Sequence, residues 1–281
     1  MLVSRAFGNP FSRGHALPLH IVVLAKQVTD SEAPASAYSV DATGKRVVLQ
    51  GSVPFIVNGF DENAVEAALR IKDAAPDRRI TVVSAGTEFA LDVVKKPVAM
   101  GAEALVLLQD GAFQNTIDPL FTVRALAAAI HKLGQVDLVL AGRQASDWDN
   151  SQVPLGVAET LGWPVIHVTQ RVDVSGATVR AHRVLPDGHE VVEAPLPAVV
   201  TVSNELGSPR YPNMRGIMAS KRVQPTVWTA ADLGVSRPAP ALELAAAALP
   251  KRTVETELIK GDDDADAGRK LAMRLREARL L

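Results

Sequence analysis

The chain has 281 residues, of which 47% are hydrophobic and 22% are charged, and its formal net charge is -1. These values are typical of a globular protein with one large domain and appendages, and a balanced charge does not indicate nucleic-acid binding, which needs a basic surface. The chain has no cysteine, which excludes disulfides, thiolate metal sites, Cys-ligated iron–sulfur clusters and Cys nucleophiles, so a redox role would need an organic cofactor.

The first 18 residues precede the first predicted strand. They contain Arg5 and Arg13 and no acidic residue, but they lack the long apolar centre of a secretory signal. We interpret residues 1–18 as a disordered extension or a wrongly assigned start, with a targeting segment as the alternative. No apolar run approaches the roughly 20 residues of a membrane helix, so we expect no membrane insertion.

Apolar β-type runs then alternate with helical patterns. The predicted strands are His20–Ala25, Arg79–Gly86, Glu103–Gln109, Val136–Gly142 and Pro197–Asn204. The predicted helices start at Asp61, run through Leu91 and Val94 to Met100, span Asp118–Gly134, and pass from Val157 to Leu161. In the first helix, these apolar residues lie near one face: Val65, Ala68, Leu69 and Ile71. Continuous apolar strands between helices indicate a mostly parallel sheet covered by helices on both faces. Because the connections between parallel strands are right-handed, we expect a doubly wound, Rossmann-like α/β domain.

The pattern changes twice towards the C-terminus. Between Val165 and Pro195, short antiparallel strands are predicted, with turns at 175–176 and 187–188, and we interpret them as a β-hairpin excursion on the same domain. After Gly234 the chain becomes rich in Pro and Ala, which is typical of an extended arm. The arm ends in a predicted helix whose apolar residues should pack on the body or on a partner: Leu271, Met273, Leu275 and Leu280.

Familiar catalytic and metal motifs are missing. There is no G-x-G-x-x-G fingerprint and no G-x-S-x-G nucleophile elbow. Gly44-Lys45 lacks the rest of a P-loop, and His189-Glu190 lacks the second histidine of a zincin. The sequence therefore predicts no catalytic residues and no metal site in this chain.

Two polar stretches lead into predicted helices, at Asn58–Ala64 and at Gly142–Gln152, and both are expected beyond strand ends. Open parallel sheets bind ligands beyond the carboxyl ends of their strands. In the second stretch, Asn150, Ser151 and nearby backbone N–H groups could hold a phosphate at a helix start. A helix N-cap at Asp149 or Asn150 without any ligand is the alternative, and the acids are weak evidence for a metal.

Several dispersed blocks resemble, in order and spacing, the beta subunit of electron transfer flavoprotein. The resemblance covers about Leu19 to Val235 and rests on the blocks LAKQV, NGFDENAVEAALRIKD, VVSAG, AMGAEALVLL, VDLVLAGRQASDWDNSQVP, LPAVVTVSNELGSPRYPNMRGIMASK and DLGV. It implies an adenine nucleotide alpha-hydrolase-like fold at 19–235, with a recognition loop near 205–222. It also implies that the arm at 236–281 docks on an alpha subunit.

The resemblance implies a heterodimer with a homologous alpha subunit that holds most of the redox FAD. Such heterodimers carry electrons from flavin dehydrogenases, such as acyl-CoA dehydrogenases, towards a quinone reductase. Ordinary beta subunits hold a structural AMP, and bifurcating ones hold a second FAD in the same pocket. The expected location is the bacterial cytoplasm, or the mitochondrial matrix if residues 1–18 are a transit peptide.

The resemblance also assigns candidate nucleotide-binding residues. They are Leu24, Ala25, Asn58, Gly59, Phe60, Asp61, Ala85, Asp147, Trp148, Asp149, Asn150, Ser151, Gln152, Val153 and Pro154. Leu24 and Ala85 are expected to line the base and Asn58 to bond its polar edges. Residues 149–153 are expected around the ribose and phosphate, where the acids bond ribose hydroxyls or brace the loop's amides.

The block SPRYPNMRGIM matches the family's dehydrogenase-recognition loop, in which an exposed apolar anchor enters a pocket of the dehydrogenase. Met214 takes the anchor position, where many relatives have leucine, and a flexible methionine suits a promiscuous surface. An ordinary loop with a buried methionine is the alternative. Arg210 is expected near the flavin interface, and Lys221 is expected to add docking charge.

Departures from the family pattern bear on the nucleotide. Asp61, Gln152 and Val153 agree with the bifurcating members, whereas Trp148 and Pro154 do not. A tryptophan where others have glycine would fill space that a second flavin needs, so the sequence favours AMP over a second FAD. A nucleotide-binding α/β protein without redox function is the alternative from another class.

Overall fold

The computed structural model describes residues 18–51, 53–114, 117–249 and 256–281. The prediction for residues 1–18 therefore lies outside the described residues, apart from Pro18. Within the described ranges, no helix has both the length and the apolar character that crossing a membrane requires.

The strands and helices follow one another in a largely alternating order. In chain order they are β1 (His20–Leu24), β2 (Gln27–Thr29), β3 (Tyr38–Val40), β4 (Val47–Leu49), β5 (Phe55–Val57), α1 (Gly59–Ala74), β6 (Arg79–Gly86), α2 (Leu91–Val94), α3 (Lys96–Met100), β7 (Ala104–Gln109), α4 (Leu120–Lys132), β8 (Leu138–Gly142), α5 (Val153–Leu161), β9 (Val165–Ser175), β10 (Thr178–Leu185), β11 (Gly188–Pro195), β12 (Ala198–Val202), α6 (Met214–Arg222), β13 (Thr226–Trp228) and α7 (Asp264–Glu277). The predicted strands and helices are present, with the differences given below. Strands β2 to β5 and β13 were not predicted, and much of the predicted recognition loop near 205–222 is helix α6.

Nine of the described strands form one sheet in the order β11-β10-β9-β12-β8-β1-β6-β7-β13. The pairs from β9 through β12, β8, β1, β6 and β7 to β13 are all parallel, whereas β9, β10 and β11 pair antiparallel. The chain moves from β1 outwards to β6 and β7, then returns to β8 on the other side of β1. The doubly wound, mostly parallel α/β fold is thus confirmed, and its direction reverses between β1 and β8.

Both faces of the central strands are buried, which explains why they read as continuous apolar runs. Ile21 and Val23 face one core, which contains the apolar face of α1, whereas Val22 and Leu24 face a second core with α4 and α5. The predicted apolar face of α1 is confirmed, because Val65, Ala68, Leu69 and Ile71 are all buried. The two helical layers hold the strand ends at fixed positions.

The helix predicted through Leu91 to Met100 is two short helices, α2 and α3, that meet at Lys95. Pro97 occupies the first turn of α3. A proline has no N–H to donate to the carbonyl four residues earlier, so a single continuous helix would lose a bond at Val93. The proline therefore suits the start of a new helix.

The predicted antiparallel segment between Val165 and Pro195 is present, but it is larger than expected. Its strands β9, β10 and β11 have 11, 8 and 8 residues, and β9 pairs in parallel with β12. The segment is therefore a continuation of the main sheet rather than a separate hairpin.

The C-terminal arm touches the body before it forms α7. The backbone N–H groups of Ala241 and Leu242 donate to the Asp118 carboxylate, at 2.5 and 3.4 Å. In α7 no described residue is buried, and the Met273 side chain is 61% exposed. In the structure, α7 does not pack on the body. Its docking on a partner and the domain boundary between residues 235 and 236 stay predictions.

Candidate functional site

The carboxyl ends of β1, β6 and β8 lie side by side at the centre of the sheet. They bring together three of the predicted positions, because Leu24 ends β1, Ala85 is near the end of β6, and the Gly142–Gln152 stretch starts at the end of β8. This edge of the sheet is where strand order reverses, between β1 and β8. Open α/β sheets form their ligand crevice at such a point.

Asn58 immediately precedes α1 and holds the loop after β8. Its side chain is fully buried, and its Nδ2 donates to the carbonyl oxygen of Gln144 at 2.8 Å. Its Oδ1 accepts from the backbone N–H of Ser146 at 3.2 Å. Asn58 makes no side-chain bond to cap its own helix. Its amide therefore serves the loop rather than the helix.

Asp61 lies in the first turn of α1 and joins the ends of β1 and β8. Its Oδ2 accepts from the backbone N–H of Lys26 at 2.8 Å, and its Oδ1 accepts from that of Gly142 at 2.9 Å. The residue is only 6% exposed. Burial raises the pKa of this carboxyl to about 7, although the bonds from Lys26, Asn58 and Gly142 favour its ionised form.

Gly142 allows this close approach between α1 and β8. A Cβ atom at this position would lie 2.5 Å from Oδ1 of Asp61 and 2.7 Å from Cβ of Phe60. Both distances are well inside ordinary van der Waals contact. Only glycine therefore fits between the end of β8 and the first turn of α1.

The two acids of the loop at 143–152 are engaged by neighbouring side chains. Nζ of Lys26 lies 2.6 Å from Oδ2 of Asp147, and Nε2 of Gln144 donates to Oδ1 of Asp149 at 2.8 Å. The backbone N–H of Asp149 also donates to the carbonyl of Ala145 at 2.8 Å. Asp147 thus ties the loop to the residue beyond β1, and Asp149 ties its two ends together. The roles expected of the acids beside a nucleotide stay predictions.

The end of the loop has an unusual backbone path. Asp149 and Ser151 have left-handed φ values of 49° and 52°. For residues other than glycine this conformation costs on the order of 1 kcal/mol and is common at ligand sites. Helix α5 has Gln152 at its N-cap, without a side-chain capping bond, so the alternative of a cap at Asp149 or Asn150 is wrong.

A cation–π pair lies beside the loop. The guanidinium of Arg143 is 4.7 Å from the ring centre of Phe60, and one of its NH groups donates to Oγ of Ser203 at 3.3 Å. Within the described residues, the buried Nε of Arg143 has no hydrogen-bond partner. Gly59 and Phe60 are the first two residues of α1, which begins beside these strand ends.

Sequence reasoning missed three residues of this site: Lys26, Arg143 and Gln144. The signal was their position, because Lys26 follows β1 by two residues and the other two directly follow β8. Of the residues that it did select, Asn150 and Gln152 are exposed and Pro154 is buried in the first turn of α5. Trp148 lies in the turn at 146–148 and is 36% exposed.

The predicted docking residues lie elsewhere, since Arg210 precedes α6 and contacts α1 and the other two lie on α6. Nε of Arg210 donates to Glu66 at 2.8 Å, and one of its NH groups donates to Asp73 at 2.7 Å. These acids are about two and four turns along α1 from Asn58. Arg210 therefore fixes the segment before α6 onto α1, and its place near a flavin interface stays a prediction.

Helix α6 presents its first residues to solvent. Asn213 caps it through a bond from the N–H of Gly216 at 2.8 Å. Met214 is 74% exposed and Tyr211 is 92% exposed, so the alternative of a buried methionine is wrong. Lys221 is exposed in the last turn.

Within the described ranges, no three His, Asp or Glu side chains come together in a group that could hold a metal ion. The polar groups at the strand ends are instead backbone amides, side-chain amides and carboxylates that bind one another. Such an arrangement suits an organic ligand at the crevice better than a metal centre.

The chain is similar to proteins of known family. Residues 46–233 match the family model of the electron transfer flavoprotein domain. An electron transfer flavoprotein subunit beta from Megasphaera elsdenii is 39% identical over 210 residues, which are 73% of this chain and 76% of that protein. The caffeyl-CoA reductase-Etf complex subunit CarD from Acetobacterium woodii is 38% identical over 218 residues, with 78% and 81% covered.

Proposed function

The chain belongs to the electron transfer flavoprotein family as a beta-type subunit, and from this we propose that it forms a heterodimer with an alpha-type subunit. The alpha-type subunit would hold most of the redox FAD. The flavin supplies the redox chemistry when bound, and this chain supplies position and electrostatics. The absence of cysteine from the sequence agrees with that division of work.

Within this subunit we propose one adenine nucleotide, AMP, at the crevice between β1 and β8. The observation that carries the proposal is the loop at 143–152, which is held at the point of strand reversal and leads into a helix start without a side-chain cap. The free N–H groups at a helix start suit a phosphate, and in α5 Val153 and Leu155 have them whereas Pro154 has none. Exposed Asn150 and Gln152 are placed to bond its oxygens or the ribose.

The base would lie on the apolar ends of the strands. Leu24 and Ala85 face the same core, at the ends of β1 and β6. Trp148 is expected to limit the room beside the nucleotide, which favours AMP over the larger FAD. A second FAD in this pocket is the competing outcome.

We further propose that the heterodimer takes electrons from flavin dehydrogenases, such as acyl-CoA dehydrogenases, and passes them towards a quinone reductase. Exposed Met214 at the start of α6 supports a docking role, because exposed Tyr211, Ile217 and Met218 lie in the same short stretch of chain. Lys221 would add charge to the same helix.

The experiment is to co-express the chain with an alpha-type subunit, purify the heterodimer and quantify the nucleotides that denaturation releases. One FAD and one AMP per heterodimer is the expected result. Two FAD molecules per heterodimer and no AMP would show that this subunit holds a second flavin instead. A colourless monomer that hydrolyses ATP and never binds a flavoprotein partner would overturn the electron-carrier function.

A further inference from the structure

We propose that Asp61 and Asn58 are positioning residues, which hold the nucleotide loop against the ends of β1 and β8 and thereby set how long the nucleotide stays bound. The proposal rests on the nucleotide site proposed above. It differs from that proposal in the role of these two residues, which act through the loop instead of contacting the nucleotide with their polar atoms.

The carboxylate of Asp61 joins two segments that are 116 residues apart, from Lys26 to Gly142. One oxygen accepts from each segment, at 2.8 and 2.9 Å. These segments leave β1 and β8, between which the strand order reverses. Asp61 therefore spans the base of the crevice in which a ligand would lie.

The partners of Asp61 in the two segments are the backbone N–H groups of Lys26 and Gly142, and the Asn58 side chain is a further donor, so the position needs a side chain with two acceptor oxygens. An ionised carboxylate only accepts hydrogen bonds. An asparagine has the same shape but would direct its NH2 group towards one of the two N–H donors. That substitution thus removes one bond with very little change in volume.

Asn58 holds the same loop with the opposite requirement. It donates to the carbonyl of Gln144 and accepts from the N–H of Ser146, so it needs one donor and one acceptor. Asn58 and Asp61 are three residues apart at the start of α1, on the side that meets the strand ends. Together their side chains bind four backbone groups of the two segments.

The packing leaves little space for movement at this contact. Gly142 is fully enclosed by Asp61 and Phe60, to the extent that a Cβ atom would overlap both. Asp61 and Asn58 are also almost completely buried. The loop is therefore attached to the rigid helix α1 rather than free at the surface, which is the arrangement that preorganised binding sites have.

The test compares Asp61→Asn with Asp137→Asn in the purified heterodimer. Asp137 is a matched control because it is also 6% exposed and accepts from the backbone N–H of His20 at 2.8 Å. It lies at the opposite, amino ends of β1 and β8. Both substitutions remove an acceptor from the same two strands, but only one lies at the crevice.

We expect the Asp61→Asn heterodimer to release AMP about tenfold faster than the unmodified protein, since one bond to a charged acceptor is lost. Asp137→Asn should release AMP at the unmodified rate. We also expect faster amide hydrogen exchange of Lys26, Gly142 and residues 143–149 in Asp61→Asn alone. Equal AMP release and equal exchange in the two variants would overturn the positioning role.

The outcomes separate this inference from the proposed function. If the unmodified heterodimer releases no adenine nucleotide, the proposed function fails, while the exchange measurement still decides whether Asp61 holds the loop. If Asp61→Asn does not fold, Asn58→Asp takes its place, because it keeps the acceptor for Ser146 and loses the donor to Gln144 and to the Asp61 carboxylate. It should raise AMP release and loop exchange, and unchanged values would count against the proposal.

Discussion

Asp61 is a carboxyl group whose charge changes near neutral pH, because burial raises its pKa to about 7. The charged side chain that acts on it is that of Lys26, which opposes the rise of this pKa. In the unfolded chain an aspartate ionises near pH 3.9. Between about pH 4 and pH 7 the folded protein therefore binds more protons at this residue than the unfolded chain does.

This difference fixes the direction of a pH effect. The contribution of Asp61 to the free energy of unfolding should fall by a few kcal/mol as pH rises from about 4 to 7, because a pKa difference of one unit corresponds to about 1.4 kcal/mol. Asp61→Asn has no proton to lose and should lack this slope. Urea unfolding of both proteins at several pH values measures the difference, and parallel curves would contradict the expectation.

Gly142 gives a second prediction at this scale. Gly142→Ala should lower the free energy of unfolding by about 1–3 kcal/mol, because the added Cβ would overlap Asp61 and Phe60. Gly59→Ala is the matched control, since no atom lies within 4 Å of a Cβ there. Chemical denaturation compares the two, and similar losses in both would contradict the close approach.

The positions of these residues could be predicted from the sequence, but their partners could not. The stretch 58–64 was selected because it leads into a helix, and the family resemblance assigned Asn58 and Asp61 to the nucleotide site. Their bonds to Gln144, Ser146 and Gly142 connect residues more than 80 positions apart, and no local pattern encodes such contacts. The ion pair of Asp147 with Lys26 is another such distant contact.

At the scale of elements, apolar runs identified the central strands well because those strands are buried on both faces. Prediction was poorer where tertiary context decides. The break between α2 and α3 follows from Pro97, whereas the start of α5 at Val153 depends on the left-handed residues before it. The lengths of β9, β10 and β11 depend on pairing with β12.

Helix α6 carries the prediction for docking. Met214→Ala should slow reduction of the heterodimer by a dehydrogenase about tenfold, as loss of a central apolar anchor does, and leave bound FAD unchanged. Leu91→Ala removes a similarly exposed apolar side chain from α2 and should leave the rate unchanged. Stopped-flow flavin bleaching measures both, and an unchanged rate in Met214→Ala would remove the docking assignment.

At the scale of the molecule, the α/β body and the arm differ in what holds them. The body has two buried cores, whereas α7 has no buried residue within the described chain and contacts the arm itself through Arg274 and Glu257. A helix of this length is marginal alone in water. The arm should therefore gain its stability from a partner surface.

Removal of residues 256–281 tests that expectation. The truncated chain should keep the thermal unfolding midpoint of its body to within a few degrees, because the deleted helix buries nothing. Its affinity for an alpha-type subunit should fall at least about tenfold, measured by titration calorimetry. Unchanged affinity would show that the arm does not dock.

Helix α1 connects two surfaces of the protein at a fixed distance. Its first turn binds the strand ends through Asp61, and Glu66 and Asp73 farther along bind Arg210. With 16 residues, it is about 24 Å long. The helix is thus a spacer of fixed length between the crevice and the surface that carries Met214. A change of one residue in its length would rotate one end against the other by about 100°, and the two surfaces would lose their alignment even if each kept its own shape.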